Sequence, residues 1–280
     1  MKKSFIAFTT ALSLITFPVM AKKTSGIPKD SPLFSKKKSA FLSPPPAIGE
    51  ASKSVIKLNL TQLAFRNFSF QYEYGFHKNM SGAIGIGFVI PRNIPTQLFK
   101  PSSNAEGWQV PKFSGFTVTP EFRYYPGKKE EKQAPHGFYI APYFRYAKYK
   151  LTADYLELYD NGTKTRTYKG TVTYGGVTGG LMIGSQWIIN DHFSIDWWIA
   201  GFGAGAAKFY ANVVSDGTLN LTTQEQTDLK DDIRGDIDEL GQFGKGAVDI
   251  QTTPNSATLT IKGVPMQSIR MFGLNLGYAF

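Results

Sequence analysis

A histidine and a serine two positions apart, His192 and Ser194, have the spacing in this sequence that most directly suggests catalysis. Residues i and i+2 of a β-strand share one face, so this pair could supply a base and a nucleophile for acyl transfer. His77 and His136 lie elsewhere, and no cysteine is present to form a thiolate site or a disulfide. Because His192 directly follows a predicted turn, we interpret it as a turn residue. We therefore expect no catalytic residue, no cofactor and no metal site.

A second group of candidates consists of five charged residues that alternate with apolar residues in predicted strands. They are Glu73, Glu121, Arg123, Arg145 and Asp196. If they share a narrow interior, an unpaired charge would be costly, so we predict that they pair into a network. Such a network would either line a gated pathway or plug an interior too narrow to conduct. Eight strands leave room only for side chains, which favours the plug.

These charges are positioned by a repeated alternation of large apolar residues with small or polar ones, the period of two that predicts β-strands. The clearest run is 68–77, FSFQYEYGFH. Seven further runs with this pattern lie near 55–61, 84–89, 116–124, 138–146, 172–187, 193–199 and 270–280. The eight runs predict an all-β protein, an eight-stranded antiparallel transmembrane β-barrel formed by residues 54–280. Pro120 and Pro142 fall on outward positions, where each removes one ladder hydrogen bond.

A soluble barrel or sandwich would also alternate, but with its apolar face inward and its charged face in water. Here the face opposite the aromatic residues is crowded with glycine and small polar residues, which suits a narrow interior. The last run, RMFGLNLGYAF, ends on an aromatic residue and resembles the C-terminal insertion signal of outer-membrane barrels. The apolar face of this run consists of Phe272, Leu274, Leu276, Tyr278 and Phe280.

The N-terminal region predicts export. Two lysines precede an apolar run over 5–20, and Ala21 is the predicted cleavage residue of a signal peptide spanning 1–21. Residues 22–53 hold seven lysines, two acidic residues and three consecutive prolines, typical of a flexible basic tail in the periplasm. Much of the net charge of +10 therefore lies outside the predicted strands. For an exported chain, we do not expect nucleic acid as a partner.

The lengths of the connections predict an orientation. Turns on the periplasmic side are expected at 78–80, 126–136 and 188–191, and loops on the outside at 64–67, 91–113, 149–171 and 211–267. Short turns inside and long loops outside are typical of outer-membrane barrels. This orientation puts His192 on the periplasmic side.

The longest predicted loop, 211–267, contains an amphipathic helix over 222–240. Its apolar positions are Leu229, Ile233, Ile237 and Leu240. Thr222 and Glu225 have the spacing of a capping box at the start of this helix. The helix is acidic, and its aspartates lack the spacing of a calcium loop. We expect the helix to cover the mouth of the barrel and the loop to be the candidate surface for an extracellular ligand.

Several of these segments resemble one family. The run 55–90, EFRYYPG at 121–127, GFYIAPYFRY at 137–146, FSIDWW at 193–198 and the ending IRMFGLNLGYAF carry the resemblance. They resemble an uncharacterised family of small outer-membrane β-barrels in Gram-negative bacteria, similar in architecture to the OmpA/OmpX-type eight-stranded barrels. The likeness covers about 54–280. Its motifs are strands, so they imply a fold and a location in the cell outer membrane but no activity.

Together these observations predict a monomeric outer-membrane barrel with a structural or surface-binding role and no catalytic activity. Its expected partners are outer-membrane lipid and the barrel-assembly machinery. Two other functions remain open. One is a small-solute channel, and the other is a lipid-modifying enzyme, because the spacing of His192 and Ser194 resembles that of lipid A deacylases. The sites of those enzymes lie at the outer leaflet, however, at the end of the barrel opposite His192.

Overall fold

The computed structural model describes residues 53–94, 107–126, 134–217, 219–239 and 247–280, which are predominantly antiparallel β-sheet. The strands are β1 (Ser54–Asn59), β2 (Asn67–His77), β3 (Met80–Asn93), β4 (Gly107–Trp108), β5 (Lys112–Tyr124), β6 (Gly137–Tyr159), β7 (Lys164–Ile189), β8 (Phe193–Ser215), β9 (Ala247–Thr253) and β10 (Ser256–Ala279). The helices are α1 (Leu60–Ala64) and α2 (Thr223–Glu239). The predicted signal peptide with Ala21, and the predicted tail except for Lys53, lie outside the described residues.

Eight of these strands close into a ring. Their order is β1-β2-β3-β5-β6-β7-β8-β10, and β10 pairs back onto β1. Every pairing is antiparallel, as the sequence predicts. At the closing seam Ile56 pairs with Tyr278, and the amide of Phe280 donates to the carbonyl of Ser54 at 2.9 Å. The ring therefore has no free edge at this level.

The first strand is shorter than predicted, because α1 begins at Leu60 and replaces its end. The expected loop 64–67 is reduced to a turn at 65–66 between α1 and β2. The side chain of Asn59 caps α1 by accepting a backbone hydrogen bond from its first turn at 2.7 Å. Thr61 Oγ1 accepts from the amide of Leu274 at 2.9 Å and donates to the carbonyl of Phe272 at 3.2 Å. The helix therefore continues along the edge of β10 where β1 ends.

Four strands, β6, β7, β8 and β10, contain 23 to 26 residues and extend beyond the ring. The expected loop 149–171 is mostly paired strand, with β6 and β7 joined by a turn at 160–163. The expected loop 211–267 contains the end of β8, α2, β9 and the start of β10. We refer to these strand ends, with β9 and α2, as the upper extension.

Apolar side chains change face where the strands leave the ring. On β6, Phe144 and Tyr146 point outward and are exposed, whereas Leu151 and Ala153 point inward and are buried. The same change occurs between Phe202 and Phe209 on β8. The sequence pattern underestimates these strands because their large apolar residues move from the outward positions to the inward ones, which interrupts the apolar alternation read from the sequence.

The inward face of the upper extension packs around α2 and forms the largest apolar core. Leu229, Ile233 and Ile237 of the helix are buried there, as predicted, and Leu240 lies outside the described residues. The capping box is also present, since the amide of Thr222 donates to Glu225 Oε2 at 2.8 Å. This hydrogen bond lowers the pKa of the Glu225 carboxyl. No described helix is both long enough and apolar enough to cross a membrane.

Candidate functional site: the interior charge network

Six charged side chains meet inside the ring, near the end that holds the turns 78–80 and 190–192. They are Lys57, Glu73, Glu121, Arg123, Asp196 and Arg270, and we call them the interior charge network. All six residues are buried, the most exposed being Arg270 at 6%. Three are cationic and three anionic, so the network is formally neutral.

Arg123 on β5 is the centre of the network. Its Nη1 lies 3.1 Å from Glu73 Oε2 and 2.9 Å from Asp196 Oδ2. Its Nη2 lies 2.7 Å from Glu121 Oε2, so one guanidinium contacts all three carboxylates. The guanidinium carbon also lies 4.3 Å from the centre of the Tyr139 ring. The planar fork of arginine makes this divided contact possible, since a lysine ammonium has no such geometry.

Lys57 on β1 provides the second cation. Its Nζ contacts Glu73 Oε2 and lies 2.8 Å from Asp196 Oδ2. It also donates to Gln186 Oε1 at 2.8 Å. Lys57 and Arg123 therefore share the same two carboxylate oxygens.

Arg270 on β10 provides the third cation and extends the network toward the upper extension. Its Nη1 lies 2.6 Å from Glu121 Oε1. Its guanidinium carbon lies 3.9 Å from the ring centre of Trp198 and 5.2 Å from that of Tyr143. The aromatic faces thus stabilise a charge that only one carboxylate neutralises.

Hydroxyl groups complete the coordination of the carboxylates. Tyr125 donates to Glu73 Oε1 at 2.5 Å, and Ser81 donates to the same oxygen. Tyr139 donates to Asp196 Oδ1 at 2.8 Å. Every carboxylate oxygen of the network therefore has a donor, which is the condition for a buried ion cluster to offset its desolvation.

Each of the eight strands of the ring contributes either a member of the interior charge network or a side chain that hydrogen-bonds to it. In chain order they supply Lys57, Glu73, Ser81, Arg123, Tyr139, Gln186, Asp196 and Arg270. The contacts cross the ring and do not simply follow neighbouring strands. The network thus connects opposite walls of the ring and occupies its interior at this level.

A comparison with protein families shows to which family the chain belongs. Residues 40–214, more than half of the 280, match the family described as "Protein of unknown function (DUF3575)". The chain belongs to the DUF3575 family. Searches of curated proteins and of solved structures found no match. Five residues of the interior charge network fall within the DUF3575 match, and Arg270 lies beyond it.

The structure brings together four of the five predicted charges, Glu73, Glu121, Arg123 and Asp196. Arg145 has the predicted inward parity, but it is only half-buried. None of the ion pairs among the described residues includes it. Arg145 lies on β6 near the upper limit of the ring, at the next inward position beyond Tyr143. It is therefore outside the interior charge network of this DUF3575 member.

Lys57 and Arg270 are the two charges that the sequence prediction omitted. Lys57 alternates with Ile56 and Leu58, so the pattern of the first strand already placed it inward. Arg270 is different, because strict alternation puts it on the same face as Phe272. In the structure Phe272 has a positive φ of 52°, and both Met271 and Phe272 are exposed. This irregularity reverses the parity of β10 and turns Arg270 inward.

His192 and Ser194 do not form a base and nucleophile pair. His192 is exposed at the turn, and its ring lies 5.5 Å from that of Tyr278. Ser194 is buried and accepts a hydrogen bond from Gln186 Nε2 at 3.2 Å. Among the residues that the structure describes, no group of three potential metal ligands occurs.

The outward face of the ring is the second feature that bears on function. It carries a continuous belt of exposed apolar and aromatic side chains, which includes the predicted insertion residues Phe272, Leu274, Tyr278 and Phe280, with Leu276 half-buried. Neighbouring strands continue the belt with Phe70, Ile86, Phe122, Phe144, Leu181 and Trp197. Pro120 and Pro142 are exposed on this face, as predicted. Pro120 pairs with Ile84 on β3, and Pro142 pairs with Leu181 on β7. No pair between β5 and β6 includes either proline, so both prolines face a gap in the β5–β6 ladder.

Proposed function

We propose that this DUF3575 protein is an eight-stranded transmembrane β-barrel of the bacterial outer membrane, closed inside by the interior charge network. Its role is structural or surface-binding, without channel or catalytic activity. The observation that carries this proposal is the change of face along the long strands. Apolar side chains point outward within the ring and inward above it.

The outward belt has the height of a hydrocarbon layer. On β6 the exposed apolar positions begin at Phe138, and the first outward charge is Lys148. Ten residue steps at ~3.3 Å give about 33 Å along the strand. A strand tilt of about 40° reduces this to about 25 Å along the barrel axis, the usual height of the apolar band.

Water is a poor solvent for such a belt. Monomeric soluble proteins seldom expose contiguous apolar patches beyond a few hundred Å², and this belt surrounds the ring. The same chain packs apolar residues inward in the upper extension, as a protein in water does. A membrane around the ring and water around the upper extension account for both faces of the same strands.

Two layers oppose passage of solutes. Together with its hydrogen-bonding partners Ser81, Tyr139 and Gln186, the interior charge network joins all eight strands in the lower part of the ring. The upper extension packs around α2 at the other end. A formally neutral cluster, in which each charged side chain contacts one of opposite sign, also offers no net attraction to either sign of ion. We therefore favour a closed scaffold, with its recognition surface on the upper extension, over a solute channel.

Neighbouring tryptophans on opposite faces of β8 provide the test. Trp197 is 39% exposed on the belt, whereas Trp198 is 4% exposed inside the ring. The mature chain would be refolded into vesicles as two single-tryptophan variants. One keeps Trp197 and the other keeps Trp198, and the other three of the four tryptophans are replaced in each. Lipids brominated along the acyl chain should quench the fluorescence of Trp197 strongly and that of Trp198 weakly. Equal, weak quenching of both in folded protein would contradict membrane insertion.

A further inference from the structure

Three outward lysines lie side by side where the apolar belt ends. Lys148 on β6 pairs with Gly175 on β7, Gly175 pairs with Lys208 on β8, and Lys208 pairs with Lys262 on β10. All three lysines are exposed. We call Lys148, Lys208 and Lys262 the lysine row.

The lysine row places like charges next to each other. Lys208 and Lys262 are directly opposite across an antiparallel pair, where Cα atoms are about 5 Å apart and like charges repel. Lys148 is two strands from Lys208, about 10 Å away, and the intervening Gly175 has no side chain to separate them. No ion pair among the described residues includes any of these three lysines. The described ion pairs therefore give the row no direct counter-charge, and Asp249 on β9, opposite Thr260, lies one outward position beyond the row.

The neighbouring outward positions locate this row relative to the belt. One position toward the ring, the same four strands present Tyr146, Val177, Ala206 and Pro265, which carry no charge. One position away, they present Lys150, Thr173, Tyr210 and Thr260. The lysine row therefore marks the boundary between the apolar belt and the polar surface of the upper extension.

We propose that the lysine row binds a lipid headgroup carrying more than one phosphate, in the leaflet that surrounds the base of the upper extension. This inference rests on the proposed function, because it needs the belt to lie in a membrane. In that position the ammonium groups reach the depth of headgroup phosphates while the lysine stems lie along the belt. Three cations within about 15 Å match a multiply charged headgroup better than a zwitterionic one.

The proposal can be tested by native mass spectrometry of the refolded mature chain in a neutral detergent. The probe is lipid A with two phosphates, compared with the same lipid after removal of its phosphates. The test variant carries Lys148→Gln, Lys208→Gln and Lys262→Gln. The matched control carries Lys164→Gln, Lys169→Gln and Lys230→Gln, an equal loss of exposed charge on the upper extension.

We expect the wild type and the control to bind the phosphorylated lipid equally. The test variant should bind it on the order of 100-fold more weakly, because each lysine near an anionic lipid surface raises the binding affinity by about a factor of five. Binding of the dephosphorylated lipid should be as weak in the wild type as in the test variant. Inorganic phosphate at the same concentration should not displace the lipid, because it lacks the acyl chains that lie on the belt.

Three results would overturn the proposal. Equal affinity of the test variant and the wild type would show that the lysine row is only a solvated surface. Undiminished binding of the dephosphorylated lipid would assign the affinity to the acyl chains. Displacement by inorganic phosphate would indicate a site for free anions. A wild type that does not insert into vesicles in the tryptophan experiment would remove the proposed function as well, so the two failures are distinguishable.

Discussion

Arg123 Nη1 and Asp196 Oδ2 lie 2.9 Å apart, although β6 and β7 separate their strands around the ring. The contact therefore spans the interior. Lys57 reaches the same oxygen at 2.8 Å from β1, which neighbours β8 only through β10. A single aspartate thus joins three parts of the ring wall, and its environment determines several of the expected effects of substitution.

Arg123→Ala should destabilise the protein by about 3–5 kcal/mol, because three buried carboxylates would keep only Lys57 and Arg270 as cations. Urea unfolding of the refolded protein, followed by tryptophan fluorescence, measures this loss. Arg145→Ala is the matched control, since Arg145 is half-buried and forms none of the described ion pairs; it should cost less than about 1 kcal/mol. Equal losses for the two variants would show that the interior charge network is hydrated or absent.

The wild-type protein should show no steady single-channel conductance in planar lipid bilayers. The interior charge network fills the ring at one level, and the upper extension packs around α2 at the other end. A simultaneous Arg123→Ala, Glu121→Ala and Asp196→Ala variant removes two side chains from β5 and one from β8, and it should conduct if it still inserts. Steady conductance of the wild type would contradict the closed interior directly.

Removal of residues 278–280 should prevent assembly, because it removes the pairing of Ile56 with Tyr278 and both backbone bonds between Ser54 and Phe280. Phe280→Ser should have the same result if the assembly machinery recognises the aromatic residue. Phe202→Ser is the control, as it also replaces an exposed phenylalanine of the belt. The readout is the amount of heat-modifiable protein in outer-membrane fractions. Normal amounts for both seam variants would refute the prediction.

Ile233→Ala should loosen the upper extension by about 2–5 kcal/mol, since Ile233 is 3% exposed within its apolar core. Limited proteolysis should then cleave within 219–247, while the ring keeps its heat-modifiable mobility. Lys230→Ala on the exposed side of α2 is the control and should not change cleavage. If Ile233→Ala abolishes the ring itself, the upper extension is required for folding and is not a separable surface.

An epitope tag inserted at Gly241, between α2 and β9, should be accessible to antibody on intact cells. Gly241 lies outside the described residues, but both elements that flank it belong to the upper extension. A tag inserted at Asn79, in the turn between β2 and β3, should require permeabilisation. The opposite pattern of labelling would invert the proposed topology.

The sequence by itself predicted the eight antiparallel strands, the helix and its cap, and four members of the interior charge network. These features depend on local alternation or on spacings of three and four residues, which neighbouring residues determine. The identity of the inward charges followed from parity within single strands. Glu73 and Arg123 needed no knowledge of their partners to be placed inside.

Tertiary structure alone decided which charges meet. Arg145 and Arg123 have the same inward parity, yet only Arg123 lies at the level where the strand register brings Glu73 and Asp196 together. Arg270 joined the network because one residue, Phe272, adopts a positive φ and reverses the alternation of β10. Register and such irregularities depend on how distant strands pair, so alternation within one strand cannot specify them.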